Sequence, residues 1–338
     1  MIVFRFIKMK ISFFIKSILF YTGFFAIMRR RKPNKKIAIL RYHAVVERAK
    51  NDYTSPSIAI SPRQFEKHVR YFTQKYNVIS LDEAVQLLRN RQEIPENSVV
   101  FTFDDGYADN YQAYKILKKY EAGATIYLTA YAIDRRENFW LAEITILILG
   151  TVKTSFTIDH PGEKQTYNLK NIVQRWRAIR AIVRLIKSND RETRESVRHQ
   201  VRSQLGEAVF EEKLNKLMLT WEQIKEMQGG GMIFGAHTLT HLNLPNAQPA
   251  DALAEISECK SFMEEKLGSP IQHFSYPNSG PYEYFTPAIR EMVEKSGYIS
   301  AVTSAAGFAD SGNDFFAIKR VRTVPSLVET VAGIEFSK

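Results

Sequence analysis

Seven short apolar runs, separated by stretches with helical patterning, constrain the fold of this chain more than any other feature of its 338 residues. Short apolar runs suit strands that are buried on both faces of a parallel sheet. Because helical stretches lie between several of them, we predict a barrel-like α/β fold. The runs are Ile37–Tyr42, Val99–Phe103, Ala124–Leu128, Met232–Phe234, Phe274–Tyr276, Ile299–Val302 and Phe316–Val321.

Capping signals mark where two of the intervening helices begin. Residues Ser61–Gln64 combine an N-cap, a first-turn proline and a capping-box Gln, and they predict a helix that runs to about Tyr76. Thr220 and Gln223 repeat the capping-box pattern. The glycines at Gly229–Gly231 are expected to end this second helix just before a strand.

The alternation of strands and helices fails between Tyr131 and Leu219. We assign residues 131–219 to a mainly helical insertion and residues 33–130 and 220–330 to the barrel. Apolar residues spaced by three and four positions predict two amphipathic helices within the insertion. Their apolar stripes are Ile172, Trp176, Ile179, Val183 and Ile186 in the first helix and Val197, Val201 and Leu205 in the second.

Two further features belong to this insertion. Phe156–Ile158 and Tyr167–Leu169 suit the strands of a small hairpin. The face of the first helix opposite its apolar stripe is basic, and such a face is most often a solvated surface. A lid over the site and a second membrane contact are the functional alternatives. The basic residues are Arg175, Arg177, Arg180, Arg184 and Lys187.

The net charge of +11 is located at the N-terminus. Residues 1–36 carry ten Lys or Arg and no acid, whereas basic and acidic residues nearly cancel in the rest of the chain. An apolar stretch, Ile11–Met28, lies within this basic region. The combination predicts a membrane-associated helix in residues 1–32 and a membrane surface as a partner, rather than nucleic acid.

The apolar stretch is short for a membrane span and contains Lys16. Its polar residues share one stripe of a helix, which favours a helix that lies in the membrane interface. If the helix spans instead, the basic residues Arg29–Lys32 favour a cytoplasmic location for the following domain, while a periplasmic or extracellular face stays open. The absence of a small-residue cleavage site argues against a removed signal peptide, and a core helix is the remaining alternative. The stripe consists of Arg5, Lys8, Ser12, Lys16 and Gly23.

Two clusters of polar residues follow predicted strands. Asp104 and Asp105 come directly after the run at Val99–Phe103, and Gly106 allows a sharp turn. Asp-Asp-Gly alone is typical of a plain turn, but adjacent carboxylates on an extended chain point in different directions and can divide the work of metal binding and proton transfer. In α/β barrels, catalytic groups gather at the carboxyl ends of the strands.

His237 and His241 follow the run at Met232–Phe234. On a helical turn, positions i and i+4 face the same side, so both imidazoles are expected to reach one cation. Two His and one Asp leave positions open for water and substrate, as in catalytic rather than structural metal sites. A lone His-x-x-x-His is often coincidental, and no Glu follows the first His as it would in zincins.

Four motifs of the chain resemble those of the polysaccharide deacetylases (the NodB-homology domain, carbohydrate esterase family four). Thr102–Gly106 and His237–His241 look like the first two family motifs, and Phe274–Pro277 resembles the third-motif loop. Leu40–Val45 resembles the Tyr-His motif of the branch that contains biofilm poly-N-acetylglucosamine deacetylases. The resemblance covers about residues 36–324 apart from the insertion, and it implies a distorted (β/α)7 barrel.

The resemblance implies that Asp105, His237 and His241 hold a divalent metal. Zn²⁺ fits this set of ligands best, although other first-row ions also fit. The resemblance also implies that hydrolysis of the acetamide group depends on this metal, which would act as a Lewis acid.

The resemblance also implies roles for other residues of the site. Asp104 would be the general base, and Arg320 would orient it through a charge-assisted hydrogen bond. His43 would protonate the leaving amine. The loop at Tyr276 and Pro277 would contact the substrate and supply a backbone N–H to the oxyanion. The alternatives are a structural histidine at position 43 and a simple ion pair of Arg320 elsewhere.

Two family features are missing from the chain. Ser275 and Tyr276 stand where many members have an Arg, so that Arg320 is the remaining residue to orient the base. No His follows His273, so the C-terminal histidine motif is absent, and this absence is what makes His43 the candidate acid.

The expected function is hydrolysis of an N-acetyl group on an amino sugar, within an exopolysaccharide or its membrane-linked precursor. A de-O-acetylase or deformylase of a lipid-linked sugar would use the same chemistry. A catalytically decayed carbohydrate-binding protein is the third possibility. A glycosidase would leave the histidine pair unexplained. The natural sugar and the oligomeric state are not indicated by the sequence.

Overall fold

Each of the seven predicted apolar runs forms a strand in the computed structural model, which describes residues 13–160, 163–206, 208–280, 283–312 and 314–337. The strands are β1 (Ala38–Tyr42), β2 (Ala44–Val45), β3 (Ala59–Ile60), β4 (Asn77–Val78), β5 (Ser98–Phe103), β6 (Thr125–Leu128), β7 (Ser155–His160), β8 (Glu163–Asn168), β9 (Ile233–Ala236), β10 (His273–Ser275), β11 (Ser300–Ala306) and β12 (Ile318–Arg322).

Seven parallel strands close into a barrel within the described residues. Their order around the barrel is β1, β12, β11, β10, β9, β6 and β5. β1 closes the circle, because Leu40 pairs with Val321 of β12 on one side and with Phe101 of β5 on the other. The short strand β4 pairs only with the amino-terminal end of β5. The predicted barrel fold is therefore confirmed.

The helices flank the barrel, and both predicted capping boxes are present. Ser61 and Thr220 accept hydrogen bonds from the backbone N–H groups of Gln64 and Gln223. The helices are α1 (Phe24–Arg31), α2 (Pro62–Lys75), α3 (Leu81–Arg89), α4 (Asn110–Lys119), α5 (Ala130–Ile133), α6 (Trp140–Gly150), α7 (Ile172–Lys187), α8 (Arg191–Leu205), α9 (Ala208–Asn215), α10 (Trp221–Gly229), α11 (Pro249–Leu267), α12 (Pro287–Lys295) and α13 (Leu327–Phe336).

The parallel arrangement brings the carboxyl ends of the strands to one end of the barrel. All six residues of β5 are buried, which explains why this strand lacks polar alternation. Asp104 follows β5, His237 follows β9, and Tyr276 follows β10. Side chains that are far apart in sequence therefore meet at this end of the barrel.

The predicted hairpin and the two predicted helices between residues 131 and 219 are observed as β7–β8, α7 and α8. They pack with α6 around a hydrophobic cluster of their own. α6 was not predicted, because nearly all of its side chains are apolar and buried, so that no helical period is visible. The division of the chain into barrel and insertion at these boundaries stays a prediction.

The apolar stripe predicted for α7 is divided between two environments. Ile179 and Ile186 are buried in the cluster around α6. Ile172 is 58% exposed, and Val183 and Trp176 are only partly buried. The predicted amphipathic helix is confirmed, but α7 packs on only part of its apolar face and lines a cavity with the remainder.

The N-terminal segment is not one continuous helix. Residues 13–21 are helical, but Gly23 has a left-handed conformation (φ +78°), and α1 begins after it. Within α1, Phe25 packs on Phe336, and Arg29 binds Glu335 at 3.2 Å, so this part is attached to the barrel as in the core-helix alternative. Of the polar stripe, Arg5, Lys8 and Ser12 lie outside the described residues. Throughout the described ranges, every helix is too short or too polar to cross a bilayer.

Candidate metal centre

The turn after β5 orients the two carboxylates. Asp105 has a left-handed backbone conformation (φ +79°), which Asp tolerates better than most residues. Gly106 follows with φ +83°, and a Cβ at this position would lie 2.8 Å from Cδ2 of Leu128. Glycine is therefore required here both by its conformation and by the close approach of β6. Asp104 and Asp105 are each only 3% exposed.

The two histidines lie on an irregular loop rather than on the helical turn expected from their spacing. Thr238 and His241 both have positive φ values, +65° and +57°, which a helix does not allow. The loop is closed by a hydrogen bond of 2.9 Å from the backbone N–H of His241 to Oγ1 of Thr238. The imidazoles of His237 and His241 nevertheless face each other, with ring centroids 4.9 Å apart.

Asp105, His237 and His241 are placed around one point. The Nε2 atoms of His237 and His241 lie 3.4 and 3.5 Å from Oδ1 of Asp105. One ligand atom from each of the three buried residues lies within 4.8 Å of the others. Around a tetrahedral Zn²⁺ with bonds of about 2.0–2.1 Å, neighbouring ligand atoms are separated by about 3.3 Å. The spacing therefore fits a shared cation, and it is longer than direct hydrogen bonds would be.

A hydrogen bond orients the imidazole of His237, and burial favours the neutral form of the imidazole of His241. Nδ1 of His237 lies 2.7 Å from the backbone carbonyl oxygen of Ser275, which makes Nδ1 the protonated nitrogen and leaves the Nε2 lone pair free. Burial, followed by the neighbouring His237, holds the pKa of His241 well below its ordinary value. Metal binding requires neutral imidazole, so this shift favours it.

Asp104 is held by Arg320 instead of joining the three predicted ligands. Nη1 of Arg320 donates to Oδ1 of Asp104 and Nη2 donates to Oδ2, each at 2.7 Å. The hydroxyl of Ser275 also donates to Oδ1, at 3.3 Å. Burial alone would raise the pKa of Asp104, but the charge and hydrogen bonds of Arg320 lower it far below the ordinary range. Asp104 is therefore ionised and fixed in one orientation.

His43 follows β1 and lies beside Asp104. Its Nε2 atom is 3.8 Å from Oδ2 of Asp104, and 16% of its side chain is exposed. Burial lowers the pKa of His43 to about 4, although the carboxylates of Asp105 and Asp104 oppose that effect. The imidazole is therefore neutral at physiological pH in the resting protein.

Tyr276 and Pro277 were predicted to contact the substrate and supply the oxyanion donor. The backbone N–H of Tyr276 is hydrogen-bonded to the carbonyl oxygen of Val302 at 3.2 Å. Its hydroxyl donates to the carbonyl oxygen of Phe316 at 2.9 Å. Pro277 has no N–H to donate. Neither residue has a donor available in this arrangement, because the loop continues the hydrogen bonding of the barrel.

Some residues around the histidine loop could not be identified from the sequence. Nε1 of Trp140 donates to the carbonyl oxygen of His241 at 3.2 Å. Glu255 accepts a hydrogen bond of 2.8 Å from the backbone N–H of Thr240, and Arg194 donates to the Thr240 hydroxyl at 3.0 Å. These partners come from α6, α11 and α8, and no local motif links them to the loop that they hold.

We expect Arg320→Gln to lower the free energy of unfolding by about 3–5 kcal/mol at pH 7, because the buried Asp104 carboxylate would lose its countercharge. The pKa of Asp104 lies below its value in the unfolded chain. The stabilisation is therefore present above the unfolded pKa of about 4 and is lost as the pH falls toward the folded pKa. Urea denaturation of the metal-free protein at pH 7 and pH 3 measures both effects. Equal losses at the two pH values would contradict this account.

The comparisons with known proteins agree with the geometry of the site. A family model described as polysaccharide deacetylase matches residues 91–299, which is more than half of the chain. The chain is 24% identical over 308 residues to the Bacillus subtilis (strain 168) protein named "Putative polysaccharide deacetylase YxkH", and the match covers 90% of this chain and 77% of that protein.

Solved structures show a similar fold. The Streptococcus pyogenes deacetylase PplD in complex with acetate has a TM-score of 0.57 and 22% identity, with 89% of this chain and 98% of that chain covered. IcaB from Ammonifex degensii has a TM-score of 0.55 and 19% identity, with 89% and 97% covered. The chain belongs to the polysaccharide deacetylase family, whose members are amide hydrolases that act on N-acetyl groups.

Proposed function

We propose that the chain removes the acetyl group from an N-acetylated amino sugar in an exopolysaccharide or its membrane-linked precursor. The cofactor is a divalent metal, best matched by Zn²⁺, with Asp105, His237 and His241 as ligands. One observation carries this proposal. Three buried ligand atoms surround one point, and beside them lies a carboxylate, Asp104, whose two oxygens are held by Arg320.

The chemistry divides between the metal ligands and Asp104. A divalent cation, when bound, supplies a Lewis acid and lowers the pKa of water toward neutrality. Asp104 accepts the proton of the attacking water while the new C–O bond forms at the acetyl carbon. Because Arg320 keeps Asp104 ionised, the carboxylate is ready to accept this proton at neutral pH.

The leaving nitrogen needs a proton when the amide C–N bond breaks. His43 is neutral in the resting protein, so it has no proton to donate at the start of the reaction. Its Nε2 atom lies 3.8 Å from Oδ2 of Asp104. We infer that the proton taken from water by Asp104 passes through His43 to the amine. The products are acetate and the free amino sugar, and no other reactant is consumed.

Acetate release from the N-acetylglucosamine pentamer tests this function. The full-length protein is stripped of metal, assayed, reloaded with one equivalent of Zn²⁺ and assayed again, with the glucosamine pentamer as a blank. We expect acetate only after reloading. Zinc binding with release from O-acetyl esters but not from the N-acetyl pentamer would indicate the de-O-acetylase alternative. Failure to bind zinc would indicate a carbohydrate-binding protein.

The proposal includes a membrane surface as a partner of the N-terminal segment. Phe14, Ile18 and Tyr21 are exposed on the helix at residues 13–21. Ile18 and Tyr21 are three positions apart, so they lie on the same side of this helix. The basic residues that follow, apart from the buried Arg29, are exposed and suit an anionic surface. A cytoplasmic membrane face is the location we favour, and a periplasmic or extracellular face is the alternative.

We expect Phe14→Asp to weaken binding to vesicles of phosphatidylglycerol, because it places a charge among the exposed apolar side chains. The loss is expected to be about tenfold in the vesicle partition coefficient. Val152→Asp is the matched control, since Val152 is an apolar residue outside the N-terminal segment and is even more exposed, 85% accessible against 65% for Phe14. Sedimentation with the vesicles measures both variants. Equal losses for the two would contradict a specific role of the N-terminal segment.

A further inference from the structure

A cavity of about 620 Å³ extends from the metal centre along α7. Asp105 and Tyr107 line it on the side of the barrel, and residues Tyr53–Pro56 form part of its wall. Most of the remaining lining comes from α7, together with Leu141 and Thr145 of α6. The cavity therefore joins the end of the barrel that carries Asp105 to helices α6 and α7.

The residues of α7 that line the cavity change in character along the helix. The C-terminal end lies at the metal centre, because the carbonyl oxygen of Lys187 accepts hydrogen bonds from Asn243 and Asn246 in the loop after His241. At 1.5 Å per residue, Arg180 lies about 10 Å and Ile172 about 22 Å along the helix from Lys187. Moving away from the metal ligands, the lining first carries the cations Lys187, Arg184 and Arg180, with Val183 and Ile179 between them, and is then apolar throughout (Trp176, Val173 and Ile172).

The cationic part of the lining is suited to an anion. Within the described ranges, no carboxylate lies at ion-pair distance from Arg180 or Arg184. The basic residues of α8 differ in this respect, because Arg194 pairs with Glu195 and Arg198 pairs with Glu143. Lys187 lines the same cavity as the expected metal ligand Asp105. Arginine side chains without a carboxylate partner, such as Arg180 and Arg184, are suited to bind phosphate groups.

The outer part of the lining is suited to a hydrocarbon chain. Val173 is 62% exposed and Ile172 is 58% exposed, and Ile58 and Leu141 line the same cavity. Leaving such side chains in water costs about 25 cal/mol for each Å² of apolar surface. A neutral glycan, with hydroxyl groups on every ring, would gain little from this surface. An alkyl chain would bury it.

We propose that the substrate is an N-acetylated sugar linked through phosphate to a long apolar chain, rather than a free neutral glycan. The acetamide lies at Asp105, the phosphate at Arg184 and Arg180, and the hydrocarbon chain against Trp176, Val173 and Ile172. This inference rests on the proposed deacetylase function, and it identifies the substrate class for the same site. The phosphate linkage is a recognition element and is not broken in the reaction.

Three substrates separate this proposal from deacetylation of a neutral glycan. They are the farnesyl ester of N-acetylglucosamine 1-phosphate, the methyl ester of the same sugar phosphate, and the N-acetylglucosamine pentamer. With the zinc-loaded full-length protein, we expect the farnesyl ester to have a KM at least about tenfold below that of the methyl ester. Equal KM values for the two esters would overturn the proposal while leaving the deacetylase function intact.

A double variant tests the cationic lining directly. Arg180→Gln with Arg184→Gln is expected to raise the KM for the farnesyl ester by about 10- to 100-fold without changing kcat. Turnover of the pentamer should be unchanged. Arg177→Gln is the matched control, because Arg177 is an exposed arginine of α7 outside this cavity. The assignment would be overturned if the double variant impaired hydrolysis of the farnesyl ester and of the pentamer equally. It would also be overturned if Arg177→Gln raised the KM for the farnesyl ester as much as the double variant does.

A binding measurement keeps the proposal testable if none of the substrates is deacetylated. The intrinsic fluorescence of Trp176 reports on the apolar part of the lining, and Trp176→Phe gives the background from the other tryptophans. We expect farnesyl phosphate to produce a saturable change in the zinc-free protein, which the double variant weakens and Arg177→Gln does not. Absence of binding would overturn the substrate class. If farnesyl phosphate binds but no substrate is deacetylated, the proposed hydrolysis is contradicted, whereas the assignment of the cavity's ligand stands.

Discussion

Asp104→Asn is expected to lower kcat for acetate release by a factor of about 10²–10⁴ while leaving one zinc bound per chain. Asparagine has nearly the same shape as aspartate but cannot accept the proton of the attacking water. The metal ligands Asp105, His237 and His241 are unchanged in the variant. Asp104 itself is held by Arg320 through both oxygens, so its replacement removes no expected ligand.

The assay of Asp104→Asn needs two measurements on the same preparation, acetate release and zinc content by atomic absorption. Asp251→Asn serves as the control, because Asp251 lies in the first turn of α11 and is neither an expected ligand nor a hydrogen-bond partner of Asp104. We expect the control to retain full activity. Loss of zinc from Asp104→Asn, or retention of most of its activity, would show that Asp104 is not the base.

His237→Ala is expected to remove both the metal and the activity. The variant keeps only Asp105 and His241 of the three expected ligands, and the missing imidazole leaves an empty space in the loop. Lewis-acid stabilisation is worth several kcal/mol, so we expect acetate release to fall by about 10³-fold or more. High zinc concentrations should restore part of the activity if residual affinity remains.

The matched control for His237→Ala is His199→Ala, which removes an exposed histidine of α8. We expect this control to bind one zinc and to hydrolyse the pentamer normally. Equilibrium dialysis against Zn²⁺ measures both variants. Stoichiometric zinc in His237→Ala, with affinity equal to that of the unchanged protein, would mean that the metal is held elsewhere.

The barrel strands could be predicted because a strand buried on both faces has a local signature. Every residue of β5 is buried, and its sequence is correspondingly apolar, apart from residues such as Thr102 whose hydroxyl donates to the carbonyl oxygen of Leu40. The capping boxes of α2 and α10 could also be predicted, because each is formed by residues only three positions apart in the sequence. α6 was missed because a helix that is apolar on almost every side has no period of 3.6 residues to detect.

The candidate site could be predicted only where its residues belong to motifs. The parallel strands bring Asp105 and His237 together, as the barrel predicts, but the spacing of the histidines suggested a helical turn where the loop has left-handed residues at Thr238 and His241. The backbone N–H and the hydroxyl of Tyr276 donate to the carbonyl oxygens of Val302 and Phe316, and the sequence motif around Tyr276 does not indicate these bonds. Lys187 reaches the cavity from α7, which is distant in sequence from the barrel residues of the lining, so its position depends on packing between distant segments.

The pairing of Asp104 with Arg320 has a consequence for the synthesis of the protein. A nascent chain that has emerged past His241 already contains Asp105 and both histidines, and therefore all the expected metal ligands. Arg320 lies on β12, which follows all three expected ligands in the sequence and closes the barrel against β1. We therefore expect a chain that stops before β12 to contain all three expected metal ligands but to release no acetate, because the Arg320 side chain that holds Asp104 would be missing.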